Sequence, residues 1–522
     1  MSNPEVTAPY TAKNRIRIVS ATSLFDGHDA AINVMRRIIQ ASGAEVIHLG
    51  HNRSALELVN CAIQEDAHAL ALTSYQGGHV EYFTYIRKLL DERGYSHIKI
   101  FGGGGGVILP SEIEELHKAG ITRIYSPDDG RTLGLQGMIN DLLQRSDFDL
   151  TAMKPKGLSN FKASNHALLA RLITLAENGA LPEKDHTEID QIAKKNGAPV
   201  LGITGTGGAG KSSLIDEFVR RFTTDFPEKT IGILSVDPSK RKTGGALLGD
   251  RIRMNSIDRP NVYMRSLATR QSNLALSKHV KEALAILKAA HFDLIILETS
   301  GIGQSDTEII EHSDVSLYVM TPEYGAATQL EKIDMIDFAD VIAINKFDRK
   351  GALDALRDVR KQYRRSRTQF TGPDETLPVH GSIASQFNDP GMTRVYRAIL
   401  ERLNAKKNTT FQPQSPLTEA PTEKSVILPP ARIRYLSEIS ETVRRYNKWT
   451  DEQATLADRL QALETVAKEL PADKKAITDR AHEVETKIAP ENLKALREWP
   501  ARKARYEADE FSYPVRGKDV RV

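Results

Sequence analysis

The sequence predicts an α/β protein: a flavodoxin-like (Rossmann-type) doubly wound parallel sheet, then a second α/β domain with a phosphate-cradling loop, then an α-helical region. Three observations predict it. Apolar runs alternate with amphipathic stretches over the first 150 residues. A further apolar run, Val200 to Ile203, meets a glycine-rich loop that opens into a helical pattern. Beyond about residue 430 the chain is helical in period, rich in charge and poor in aromatic residues.

In the first part, the expected strands are Ile16 to Val19, Glu45 to Leu49, Ala69 to Thr73, Ile98 to Phe101 and Arg123 to Tyr125. The expected helices are Ala30 to Ala41, Ser54 to Asp66, Tyr82 to Arg93, Pro110 to Ala119 and Thr132 to Arg145. Such a sheet binds ligands outside the carboxyl ends of its strands. Asp26-Gly27-His28-Asp29 follows the first strand, Ser74-Tyr75-Gln76-Gly77-Gly78-His79 the third, and Gly102 to Gly106 the fourth, so all three face one mouth. A loop imidazole with a carboxylate two residues upstream suits a metal ligand, His28, whose other ring nitrogen is held by an acid, Asp26. Ser74 and the glycine run beginning at Gly102 and Gly103 would let a bulky nucleotide tail approach the backbone, because no Cβ stands in the way. His79 lies at the same mouth with no role beyond a polar contact, and Cys61 falls on the apolar face of the second helix as core.

These residues resemble the D-x-H-x-x-G, S-x-L and G-G fingerprint of base-off, His-on cobalamin-binding domains. The resemblance implies that His28 replaces dimethylbenzimidazole as the lower ligand of cobalt. Ala31 stands where the first motif has glycine and Gln76 where the second has leucine, which puts the shape of the tail pocket in doubt.

Gly205-Thr206-Gly207-Gly208-Ala209-Gly210-Lys211-Ser212 is a complete P-loop between an expected strand and the helical pattern Ser213 to Phe222. Its glycines turn backbone N–H groups inward onto phosphates, Lys211 adds charge near the β and γ phosphates, and Ser212 offers a hydroxyl to Mg²⁺. Asn345-Lys346-Phe347-Asp348, after the run Val341 to Ile344, is the N-K-x-D pattern. It resembles that of GTPases, and the resemblance implies GTP: Asp348 would accept from guanine N1–H and the exocyclic amine, Asn345 would meet the base's polar edge, and the Lys346 stem would pack along the ring. Adenine offers no donor pair, so ATP would leave a carboxylate unpaired. The run Ile231 to Val236 delivers Asp237 to the phosphate edge, and Phe292 to Leu297 delivers Glu298 with Thr299, Ser300 and Gly301. Asp237, Asp250 and Glu298 are the expected Mg²⁺ or water-mediated ligands beside Ser212. Lys211, Glu298 and Gly301 are the expected catalytic group, Gly301 through its N–H to the γ-phosphate. Ser213 and Arg253 complete the nucleotide set, and no residue stands out as positioning the attacking water.

The order V-D-P-S, G-G-A-L-L-G-D-R-I-R-M, E-T-S-G and N-K-F-D resembles MeaB-type GTPases, chaperones of adenosylcobalamin-dependent mutases, over roughly residues 150 to 405. Ser239-Lys240-Arg241-Lys242 is more basic than the serine-rich version, so that loop's contacts are in doubt. The switch segments implied are Gly244 to Met254 and Glu298 to Gln304.

After Leu403 comes a Thr, Pro and Gln-rich linker to about Pro430, then expected helices at Ile433 to Tyr446, Asp451 to Leu470 and Asp473 to Tyr506, the last broken or kinked by Pro490 and Pro500. The boundaries are therefore 1–148, 149–405 and 406–522. This order is similar to the cofactor-handling part of the fused isobutyryl-CoA mutase family. The resemblance implies adenosylcobalamin, Mg²⁺ and GTP as ligands, a homodimer, an adenosyltransferase as cofactor donor, and an acyl-CoA-binding barrel in cis or trans, here absent after Val522. The activity implied is GTP hydrolysis, with isobutyryl-CoA to n-butyryl-CoA isomerisation only alongside that barrel. Two readings stay open beside it: a cobalamin sensor whose GTPase switch recruits a partner, and a first sheet that binds flavin or acts as a receiver. Ser74, where a receiver would carry its phosphoacceptor aspartate, weakens the last. A net charge of +3 gives no reason for nucleic acid, and one cysteine in 522 residues excludes a disulfide framework. No apolar run reaches the roughly 18 residues of a membrane span. A cytoplasmic protein is expected.

Overall fold

The computed structural model describes residues 7–155, 157–158, 161–240, 242–269, 276, 279–299, 301, 306–325, 330–414, 416, 420–425, 432–470, 472, 474–515 and 518–522. Expectations that fall on Arg241, Ser300, Gln304 and Pro430 lie outside these residues. The chain divides into two units, Met1–Lys424 and Ser425–Val522.

The first unit opens with β1 (Arg17–Thr22), α1 (Ala30–Ala41), β2 (Glu45–Gly50), α2 (Ala55–Gln64), β3 (Ala69–Thr73), α3 (His79–Glu92), β4 (Lys99–Gly103), α4 (Pro110–Lys118), β5 (Arg123–Tyr125) and α5 (Pro127–Ser146). All pairings are parallel, and the order β5-β4-β3-β1-β2 is the flavodoxin order. Alternation along β1 sends Ile18 to one face with Ile39 and Leu142, and Val19 to the other with Leu58 and Phe83, so helices cover both faces. α2 starts where it does because Ser54 and Glu57 cap it reciprocally, at 3.2 and 2.8 Å. α5 starts earlier than Thr132 because Ser126 and Asp129 form the same box ahead of Pro127; Gly134, at φ 65°, interrupts its regular course.

A second parallel sheet contains β6 (Val200–Gly205), β7 (Ile231–Asp237), β9 (Val262–Ala268), β10 (Leu294–Glu298), β11 (Val315–Met320), β12 (Val341–Asn345) and β13 (Val379–Ser382), in the order β13-β12-β11-β6-β10-β7-β9. β6 lies between β11 and β10, so the loop after it opens at the point where strand order reverses. After α6 (His166–Glu177) and α7 (Glu183–Lys195), α8 (Lys211–Asp225) follows that loop.

One strand breaks the expected division. β8 (Ala246–Leu248) comes from the segment between β7 and β9, yet it extends the first sheet, parallel to β2 with Glu45 opposite Ala246 and Ile47 opposite Leu248. The preceding Gly245 passes so close to the end of α1 that a Cβ there would lie 2.0 Å from the Gln40 carbonyl oxygen. This short apolar run lies within the implied switch segment Gly244 to Met254, and the open edge of β2 is what captures it.

The second unit holds helices Tyr435–Glu469, Lys474–Glu485 and Pro490–Glu507 and an antiparallel hairpin, Ser512–Val515 with Lys518–Arg521. The expected break near residues 447–450 does not occur, since no Gly or Pro interrupts those 35 helical residues. Pro490 starts its helix at the first position, where a missing N–H costs nothing, while Pro500 sits inside it. Leu460, Ala481, Val484 and Ile488 form a small core. Among the described residues no helix is long and apolar enough to cross a membrane.

Candidate functional site

The two sheets of the first unit each present a mouth at their carboxyl ends. On the second sheet, the P-loop needs its glycines. Gly205, at φ 149°, would place a Cβ 1.9 Å from the Val319 carbonyl oxygen, and Gly210, at φ 92°, would place one 2.4 Å from the Asn345 amide nitrogen. Lys211, 8% exposed, folds back to donate to the Gly205 carbonyl at 3.0 Å. Gly301, at φ 68°, lies against this lysine, since a Cβ there would meet Nζ at 2.4 Å. Gly207, Gly208 and Ala209 complete the cradle, and Ser213 sits half-buried on the first turn of α8.

Beneath the loop, Ser212 Oγ lies 2.9 Å from Asp250 Oδ1 and 3.2 Å from Glu298 Oε1. Ser235, on β7 and fully buried, bridges the same two carboxylates, with its hydroxyl 3.0 Å from Glu298 Oε2 and a short bond to Asp250. Each hydroxyl has one proton and satisfies only one carboxylate. Asp237 stands alongside, its Oδ2 accepting from Gly249 N–H at 3.0 Å. Burial first and Asp250 second push the Asp237 carboxyl up to about 8, and burial with Asp250 holds Glu298 well above the usual range. Carboxylates that resist ionising together are relieved by a cation. Among the described residues no group of three His, Cys, Asp or Glu is arranged to hold a metal ion alone. Arg253 is largely exposed, 3.9 Å from Asp250.

The Asn-Lys-x-Asp segment packs directly against the P-loop. Asn345, expected at the base's edge, donates its amide to the Ala209 carbonyl at 2.8 Å and accepts from Ala384 N–H at 3.0 Å. It therefore ties the P-loop to the loop after β13. Lys346, at φ 57°, reaches across to the Gly208 carbonyl at 2.7 Å, and Asp348 is left exposed for a base. Ser382 and Ala384 were missed in the sequence; their signal is the Ser-x-Ala that ends the run after Leu377. Ser235 carries no comparable signal, being one small residue within a buried strand.

On the first sheet, Asp26 is fully buried and organises the mouth. Its Oδ1 accepts from both the backbone N–H and Nδ1 of His28, at 2.9 and 2.8 Å, and its Oδ2 accepts from Tyr75 N–H at 2.6 Å. Burial opposes its charge, but the Tyr75 and His28 hydrogen bonds outweigh that and hold its carboxyl below the usual range. With Nδ1–H committed, Nε2 is the free lone pair of an imidazole that is 62% exposed. Ser74 Oγ meets Ser23 Oγ at 2.9 Å, and Ser74 N–H donates to Gly103 at 2.9 Å. Gly104 packs so near that a Cβ would be 2.0 Å from the Ser74 carbonyl oxygen. Between these loops and α1 and α5 runs an apolar cavity of about 210 Å³, lined by Tyr75, Gly102 to Gly105, Ile32 and Met138. The His28 ring lies beside this lining, its centroid 5.8 Å from that of Tyr75.

A histidine-presenting flavodoxin-like sheet joined to a P-loop sheet with guanine-type recognition defines a GTPase carrying a cobalamin-binding domain. The profile described as "Methylmalonyl Co-A mutase-associated GTPase MeaB" matches residues 169–418, and that of the B12 binding domain matches residues 16–130. The chain is 54% identical over 98% of its length to the "Fused isobutyryl-CoA mutase" of Geobacillus kaustophilus, covering 48% of it. It is 51% identical over 98% of its length to the protein of that name from Cupriavidus metallidurans, covering 47%. A "Putative GTPase" of Caulobacter vibrioides is 34% identical over 46% of this chain and 73% of its own length. The chain belongs to the MeaB GTPase family, with a B12-binding domain ahead of the GTPase. It spans about half the length of the fused relatives it matches.

Proposed function

We propose that this chain holds adenosylcobalamin through His28 and hydrolyses GTP with Mg²⁺ at the P-loop, as the cofactor-handling part of an isobutyryl-CoA mutase. The observation that carries the reading is β8. Residues 246–248 are a strand of the cobalamin-type sheet, while Asp237 and Asp250 on either side of them belong to the nucleotide cluster.

At the nucleotide site, Lys211 leaves the Gly205 carbonyl for the β and γ phosphates, and the P-loop N–H groups neutralise charge that shifts towards the leaving diphosphate. Ser212, with Asp237, Asp250 and Glu298, would hold Mg²⁺ directly or through water. Gly301 presents its N–H to the γ-phosphate. At the other mouth Asp26 keeps the His28 ring oriented with its Nε2 lone pair outward. When bound, adenosylcobalamin supplies a Co–C bond whose homolysis starts radical rearrangement. An acyl-CoA-binding barrel, in cis or trans, would supply the substrate, so the isomerisation of isobutyryl-CoA belongs to the completed assembly. GTP turnover gates loading of the cofactor from an adenosyltransferase; a homodimer in a reducing cytosol completes the proposal.

The test is an ultraviolet-visible titration with adenosylcobalamin, with and without GTP and Mg²⁺, in wild type, His28→Ala and Lys211→Ala. A base-off, His-on spectrum is expected in wild type and lost in His28→Ala. Lys211→Ala should abolish GTP hydrolysis while keeping the spectrum. An unchanged wild-type spectrum would sink the cobalamin reading, and persistent hydrolysis in Lys211→Ala the GTPase one.

A further inference from the structure

His79 had no role in the sequence beyond lying near the mouth. In the structure it is the first residue of α3 and 5% exposed, with polar neighbours on both sides of its ring. Nε2 lies 3.0 Å from Glu112 Oε2 and Nδ1 lies 3.4 Å from the Gln76 carbonyl oxygen. A carboxylate only accepts, so Nε2 carries the proton and donates to Glu112. That same Glu112 oxygen accepts from Leu109 N–H at 2.7 Å, fixing the start of α4 directly after the glycine run. The Leu109 N–H and His79 together hold the Glu112 carboxyl below its usual range.

The two ends of this contact stand behind different walls of the apolar cavity, on segments that line it. His79 closes the loop of Ser74 to Gly78, which contributes Tyr75, and Glu112 closes the stretch of Gly102 to Leu109, which contributes Gly102 to Gly105. Near their roots these loops touch backbone to backbone, through Ser74 N–H and the Gly103 carbonyl at 2.9 Å. The Tyr75 end of the first loop is also fixed to Asp26, which orients His28. His79 with Glu112 is the side-chain bond that joins the outer ends of the two loops.

We propose that His79 is a positioning residue that, through Glu112, sets the width of the slot receiving the nucleotide tail of the cobalamin, without touching the cobalt site. The inference rests on the cobalamin reading above. Its consequence is selective. A corrinoid with a nucleotide tail needs both walls in register, while a tail-less corrinoid needs only His28 and the open mouth.

The experiment compares His79→Ala and Glu112→Gln with wild type, using adenosylcobalamin and its tail-less analogue adenosylcobinamide as probes. Glu112→Gln keeps an oxygen for Leu109 N–H while removing the charged acceptor, so it tests the bond without altering the first residue of α3, as His79→Ala does. Affinity for adenosylcobalamin should fall by about tenfold in both variants, the effect of one charge-assisted hydrogen bond. Affinity for adenosylcobinamide should change by less than about twofold. Equal losses for the two corrinoids would make His79 a residue of general stability and overturn the proposal, as would no loss for either. A wild type that binds neither corrinoid would remove the cobalamin reading itself, an outcome distinct from both.

Discussion

At the scale of single residues, the candidate sites are built from atoms with one remaining valence. Asp26 commits both oxygens, and thereby leaves His28 with a single free nitrogen. Asn345 gives one amide hydrogen to the P-loop and its oxygen to the loop after β13, while Asp348 stays exposed. That division gives a direct prediction. Asp348→Asn should lose guanine preference by about 10²-fold or more, because an amide cannot accept from both N1–H and the amine. Xanthine, which carries a carbonyl where guanine has the amine, should be preferred by the variant. Competition between the two triphosphates in a hydrolysis assay decides it, and retained guanine preference would assign base reading to another residue. His28, Lys211, Ser212 and Asp348 stand out in the sequence as candidates because their motifs are contiguous and their chemistry follows from residue type. Ser235, Ala384 and the His79 contact do not, because each acts through a partner distant in sequence, and a one-dimensional pattern carries no such pairing.

At the scale of elements, buried parallel strands announce themselves as short apolar runs between glycine-rich turns, and β1 to β5 fall close to where those runs placed them. β8 does not, since three residues of Ala-Leu-Leu after two glycines carry no period at all. Its place is set by the edge it meets. Gly245→Ala tests this at one atom, since the added Cβ collides with the backbone of Gln40 rather than with a movable side chain. The variant should be destabilised by about 1–3 kcal/mol, measured by denaturant unfolding. Hydrogen exchange should quicken at the amides of β8. An unaltered unfolding midpoint would mean that β8 is not seated on β2. The helices beyond residue 435 show the opposite error: a charged, aromatic-poor sequence was divided where nothing breaks it, because polar periodicity marks faces and not ends.

At the scale of the whole molecule, acid should be a strong denaturant. His48, His68, His166 and His380 are held at about 4 by burial, well below the 6.5 of an exposed imidazole. A histidine depressed in the folded state favours folding fully above the unfolded value, and that contribution is lost as pH falls from 6.5 towards 4. Unfolding near pH 5 should therefore bind about three to four protons at these side chains, offset in part by protons released from Asp237 and Glu298, whose carboxyls are raised in the folded state. Calorimetric Tm values should fall steeply across that window, and His48→Gln should flatten the slope by about one proton. A Tm level between pH 6.5 and 4.5 would show that these rings are not buried neutral. The interleaving of the two sheets has a different kind of consequence. A backbone nick between residues 146 and 166 would sever the chain but not the molecule, because residues 246–248 stay hydrogen-bonded beside β2 from the far side of the cut. What reads in one dimension as two cassettes that recombination could trade separately is stitched, so a gene fragment ending after α5 would leave β2 as a bare edge, open to pairing with its own kind.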